Sequence, residues 1–178
     1  MNWNKQNPYL AKITSKKLLS GKQSNKEVFH YEISLGESGI IYQPGDSLGI
    51  LPVNNNTLVR AIINRLQINP TYMPEGYDLN IYELLEKKFE ILTPTNRLIK
   101  FVNDNINHEE LNYSLDTKNI NILMDFKYGK DVLDFMNLDE SLKFDVLHFL
   151  TLLKPLQHRA YSIASSNLIF KNSVHLTV

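Results

Sequence analysis

The chain has 178 residues, which suits one domain or a domain with an insertion, and it has no cysteine, which excludes disulfides, thiolate metal sites and thiol chemistry. Lys+Arg and Asp+Glu number 19 each, a formal net charge of +0, so no field draws nucleic acid or an acidic membrane to the surface. No apolar run approaches the ~18 residues that span a bilayer, and MNWNKQNPYLAK is no secretory signal, so the expectation is a cytoplasmic protein with no nucleic-acid and no membrane partner.

The first third predicts strands. In EVFHYEISL the apolar Phe29, Tyr31, Ile33 and Leu35 alternate with His30, Glu32 and Ser34, the period of a strand with one buried face. Tyr9, Ala11 and Ile13 alternate more weakly. Pro44-Gly45-Asp46 predicts a turn, with proline fixing φ at one corner and glycine accepting φ > 0 at the next, before a short strand in DSLGILP.

A helical pattern follows. Asn55 or Asn56 caps a helix with Leu58, Val59, Ile62, Ile63 and Leu66 on one stripe, and Asn80 with Glu83 has capping-box spacing. Thr93-Pro94 reads as an N-cap followed by proline at the first helical position, with Leu98, Phe101, Val102 and Ile106 buried. Asp139 is expected to open a further helix that carries Leu142, Val146 and Leu150 and ends at Pro155; residues 107–128 are poorly patterned.

Strand signals return in RAYSIAS and SVHLTV, so the order is strands, helices, strands. That order predicts an α+β fold: a small antiparallel barrel or sandwich with a helical insertion, its last strands returning to pair with the first. SVHLTV would be left as an open edge.

RAYSIASS is the segment with chemistry. Arg159 offers a planar fork of donors to a diphosphate, Tyr161 shares its strand face and offers a ring to a conjugated ligand, and Ser162 adds a hydroxyl and an amide. The competing reading is a surface arginine and a core tyrosine on a plain strand. The five histidines lack the spacing of a zinc helix, so no metal is expected. Neither a nucleophile elbow nor a P-loop is present, and no glycine-rich loop joins a strand to a helix.

Taken in order, ISLGESGIIYQPGDSLGILPVNNNTLV, KKFEILTPTNRLIKF, LLKPLQHRAYSIASSN and VHLTV resemble the FAD-binding region of the diflavin reductases, the family that includes the NADPH-dependent sulfite reductase flavoproteins. The resemblance runs from about Pro8 to Val178 and is weakest over residues 107–128. It implies an antiparallel Greek-key β-barrel of the ferredoxin-reductase type, formed by residues 1–53 and 155–178 and incomplete at its C-terminal end, with an all-helical connecting insertion at 54–154. It implies FAD as cofactor, with Arg159 on the phosphates, Tyr161 on the isoalloxazine and Ser162 near the flavin N5 as the catalytic residue. Ala160, Thr93, Thr177 and Val178 match further cofactor-binding positions.

The function so implied is the FAD-binding portion of an NADPH-dependent oxidoreductase that passes electrons through FAD and FMN, with an FMN-binding flavodoxin-like partner and a sulfite reductase haem protein. The glycine- and serine-containing loop, last barrel strand and NADPH-binding domain that follow in the family are not in these residues, nor is an FMN domain, so the expectation is a fragment inactive alone. The alternatives are a non-catalytic FAD-binding or interaction module and a cousin with another electron acceptor.

Overall fold

The structure is a computed structural model and describes residues 3–106, 108–116 and 120–178. In chain order the elements begin with strands β1 (Lys12–Leu18), β2 (Phe29–Ser34) and β3 (Ser47–Ile50), helices α1 (Asn56–Leu66) and α2 (Ile81–Lys87), and the two-residue β4 (Phe89–Glu90). There follow α3 (Asn96–Asn105), α4 (Glu109–Asp116), α5 (Ile120–Lys127), α6 (Val132–Met136) and α7 (Val146–Leu152). The chain finishes with β5 (Lys154–Pro155), β6 (Arg159–Ser162) and β7 (Ser173–Thr177). Two compact units result: Met1–Pro52 with His158–Val178, and Val53–Gln157.

The strand unit is antiparallel throughout. β2 lies between β1 and β7, and β3 pairs with β6. A bridge between Ile163 and Leu176 continues β6 onto the outer side of β7, and the Ala164 N–H donates to His175 O beside it. The expected open edge of SVHLTV is therefore covered over part of its length, because the residues after β6 turn back onto it. Among the described residues these strands do not close into a barrel.

Alternation on the strands selects the core. Ile33, Val174 and Leu176 are buried with Leu35 and Tyr42, and Leu48, Ile50, Tyr161 and Ile163 pack against them. The Pro44-Gly45-Asp46 turn forms as its chemistry dictates: Gly45 has φ 97°, the Asp46 N–H donates to Gln43 O, and the Gln43 N–H donates to the Asp46 carboxylate. The first strand lies at Lys12–Leu18, later than Tyr9, Ala11 and Ile13 suggest; it is an exposed edge strand, so no burial alternation marks it.

The helical unit is built from amphipathic stripes and capped ends. Asn55 caps α1, and Asn80 with Glu83 forms a capping box on α2. Asp131 and Asp134 form another capping box on the five-residue α6. Two expected caps move. Thr95 caps α3, its hydroxyl accepting from the Leu98 N–H at 3.1 Å, so Pro94 precedes the cap and Thr93 is left exposed. Asp145 caps α7, while the Asp139 carboxylate accepts from the Ser141 N–H in a local turn. The poorly patterned 107–128 stretch contains α4 and α5, with 107 and 117–119 outside the described residues.

The two ends of the helical unit meet on one segment. Near the first end, the Asn54 side-chain amide donates to Leu85 O and Phe89 O, each at 2.6 Å, and its backbone N–H donates to Glu86 O. Near the last, β5 pairs with β4, and the Leu156 N–H donates to Lys88 O at 2.7 Å. Residues 85–90 thus hold both passages of the chain.

Candidate functional site

β6 carries the candidate residues. Its register against β3 sets Arg159 opposite Ile50, Ala160 opposite Gly49, Tyr161 opposite Leu48 and Ser162 opposite Ser47. Arg159 and Tyr161 share one strand face, and Ala160 and Ser162 the other. Tyr161 is half-buried against the strand core, while Arg159, Ala160 and Ser162 are exposed. Among the described residues the Arg159 guanidinium has no ion pair or hydrogen bond, so its fork of donors is unspent.

The other serines of RAYSIASS have structural duties. The Tyr42 hydroxyl, in a buried side chain, lies 2.7 Å from Ser165 Oγ and donates to Ser173 O at 3.0 Å; Ser165 Oγ accepts from the His175 N–H. Ser166 starts a turn in which its carbonyl accepts from Ile169 and Phe170. These bonds fix the β6–β7 connection, and of the three serines in the segment Ser162 is the exposed one.

Continuing the Ile163–Leu176 bridge by one residue sets Ser162 level with Thr177. Thr177 is exposed, and Val178 and Phe29 exchange backbone hydrogen bonds in both directions, which holds the end of β7 in register. The structure therefore gathers Arg159, Tyr161, Ser162, Thr177 and Val178 on neighbouring strands of one unit. Thr93 belongs to the helical unit, where it lines an open cleft of about 500 Å³ with Leu92, Pro94, Tyr128 and Lys130. Lys130 is already engaged, donating to Phe126 O at 2.6 Å.

These residues suit a ligand with phosphate and ring parts. A free guanidinium, a partly exposed aromatic ring and an exposed hydroxyl lie within four residues of one strand. Residues 1–75 match the FAD binding domain family. The resemblance read from the sequence holds. Over 178 residues, 99% of this chain and 28% of the relative, the chain is 33% identical to the sulfite reductase [NADPH] flavoprotein alpha-component of Vibrio parahaemolyticus. The corresponding protein of Bacillus subtilis is 31% identical over 181 residues, 99% of the chain and 30% of the relative. That of Buchnera aphidicola is also 31% identical over 181 residues, covering 100% of the chain and 29% of the relative. The chain thus spans under a third of the length of these relatives, and FAD is the cofactor that the family match supports. The candidate residues lie outside the 1–75 match and inside the longer alignments. Among the described residues no helix is long and apolar enough to cross a membrane.

One cluster escaped the reading of histidine spacing. His30, Glu32 and His175 place one donor atom each within 4.8 Å of one another. The signal was present as H-x-E on one strand and a histidine on the face of VHLTV away from its apolar residues; spacing rules made for helices do not detect it.

Proposed function

We propose that this chain is the FAD-binding portion of an NADPH-dependent diflavin-type oxidoreductase, folded as an incomplete ferredoxin-reductase-type β-barrel with a helical connecting insertion. The observation that carries the reading is the unpaired, exposed Arg159 beside a half-exposed Tyr161 on one face of β6, in a chain whose first 75 residues match the FAD binding domain family. Arg159 supplies the charge-assisted donors for the diphosphate, and Tyr161 lies against the isoalloxazine while its other side stays on the core. Ser162 holds its hydroxyl near the flavin N5, with Thr177 and Val178 beside it.

FAD, when bound, accepts a hydride and releases single electrons; the protein orients it and sets the polarity around it. In the complete protein the NADPH, the FMN-binding partner and the sulfite-reducing haem protein are served by parts outside these 178 residues. The likeness to flavoprotein alpha-components supports that assignment.

An FAD titration of the purified chain, followed by flavin absorbance and fluorescence quenching, tests the reading. Saturable binding is expected, weakened about tenfold or more by Arg159→Ala, since a charge-assisted hydrogen bond contributes about 1.5–3 kcal/mol. Tyr161→Ala should weaken it as well. Absence of saturable binding, or binding indifferent to both substitutions, overturns the assignment of this site. In the full-length enzyme Ser162→Ala is expected to slow hydride transfer; an unchanged rate removes its role at N5.

A further inference from the structure

We propose that His30, Glu32 and His175 form a binding site for a divalent transition-metal cation of the Zn²⁺ class, clamping β2 to β7. His30 and Glu32 stand two apart on β2, and His175 is the cross-strand partner of Glu32. The reciprocal bonds between Phe29 and Val178 fix the phase of the ladder, which makes Glu32 and His175 a non-hydrogen-bonded pair. Such pairs bring their Cα atoms to about 4.5 Å, the closer of the two antiparallel spacings. All three side chains stand on the face opposite Ile33, Val174 and Leu176.

The three side chains already converge. Nε2 of His30 lies 3.9 Å from a Glu32 carboxylate oxygen, and the two imidazoles meet edge to face with centroids 5.1 Å apart. His175 is 7% exposed and packs against Phe170, whose ring centroid is 4.2 Å away. Ser173 Oγ lies 3.4 Å from its Nε2, a hydroxyl placed to orient the ring as the outer partners of ligating imidazoles do. Donor atoms within 4.8 Å need to close to about 3.3 Å around a tetrahedral ion, a movement within reach of the half-buried His30 and Glu32.

Two imidazoles and one carboxylate make a borderline donor set that favours Zn²⁺, Co²⁺, Ni²⁺ or Cu²⁺ over Mg²⁺ or Ca²⁺, and three protein ligands leave a fourth position for water. Lys17 is the β1 partner of His30, so the register places a cation on the same face, opposing the ion. Its replacement by alanine should tighten binding.

The test is calorimetric titration of the chain with Zn²⁺ and optical titration with Co²⁺, whose visible bands report tetrahedral coordination. One equivalent is expected to bind, with His30→Ala and Glu32→Gln each weakening affinity about tenfold or more. His158→Ala and Arg159→Ala should leave it unchanged, which separates this site from the flavin site. Zn²⁺ should also raise the unfolding midpoint of the parent chain, by mass action, and fail to do so in the two ligand variants. Because His175→Ala removes a buried ring and risks the fold, the His30 and Glu32 variants, checked by circular dichroism, decide the matter. No stoichiometric binding, or binding kept by both folded variants, overturns the proposal and leaves an ordinary His–Glu contact on a strand surface.

Discussion

The two units spend their residues differently. Among the described residues the helical unit buries twenty-one side chains in one core and the strand unit five, yet Arg159, Tyr161, Ser162 and Thr177, exposed or half-exposed and proposed for the cofactor, stand on the strands. The helices pack stripe to stripe, with Phe135, Phe149, Ile62 and Leu98 fully buried. The strands rely on ladder register and on polar ties such as Tyr42 to Ser165 and Ser173, and they leave Arg159, Ile41 and Leu168 in solvent. A unit that presents its surface to ligands has less apolar area left to stabilise itself, so ligands should matter more to it.

The comparison breaks first if core truncations cost the same in both units. Phe149→Ala, in the helical core, should cost about 3–5 kcal/mol in urea unfolding, and Leu176→Ala, in the strand core, about 2–3 kcal/mol. Equal losses would mean that the strands hold more hidden support than their core suggests. Arg65 sharpens the picture at intermediate size. Its guanidinium donates to the carbonyls of Met136, Asp139 and Leu142, stitching the loop between α6 and α7. Arg65→Ala should cost about 2 kcal/mol, with Arg65→Lys recovering little because a single ammonium cannot reproduce the fork.

The smallest effect is local and depends on pH. The Asp139 carboxyl is held below its ordinary value of 3.8, mainly by hydrogen bonds from the Ser141 side chain and backbone, against the opposing effect of desolvation and with a smaller help from the Arg65 charge. A depressed carboxylate contributes fully above its ordinary range and loses that contribution as pH falls through its lowered value. The Ser141 amide resonance should therefore titrate with a midpoint below 3.8, Asp139→Asn should abolish the transition, and resonances of the strand unit should not follow it.

Much of this was legible in the residues. Alternation in EVFHYEISL, RAYSIAS and SVHLTV located β2, β6 and β7, and Asn80 with Glu83 announced the start of α2, because strand period and cap chemistry are local. Thr93 and Thr95 flank one proline, and sequence alone does not say which hydroxyl reaches the Leu98 amide; the fold chooses Thr95. Asp139 and Asp145 posed the same problem, settled by which carboxylate meets a free helical N–H. β1 was placed too early because its side chains are nearly all exposed, and α6 was missed because five residues carry little period. At the site, the shared face of Arg159 and Tyr161 followed from alternation, whereas the meeting of His30 with His175 needs a pairing register that only the folded ladder defines.

Asn54 and Leu156 give the helical unit a single doorway: the chain goes in and comes out against residues 85–90. A block whose two passages lie side by side can be lifted out or joined end to end with little rearrangement. The strands on either side then close only a short gap, however many helices hang from it, and the loop-closure penalty rises slowly with what is inserted. Residues 53–157 are thus a natural cassette, replaceable by a short turn in a test of whether the strands alone assemble.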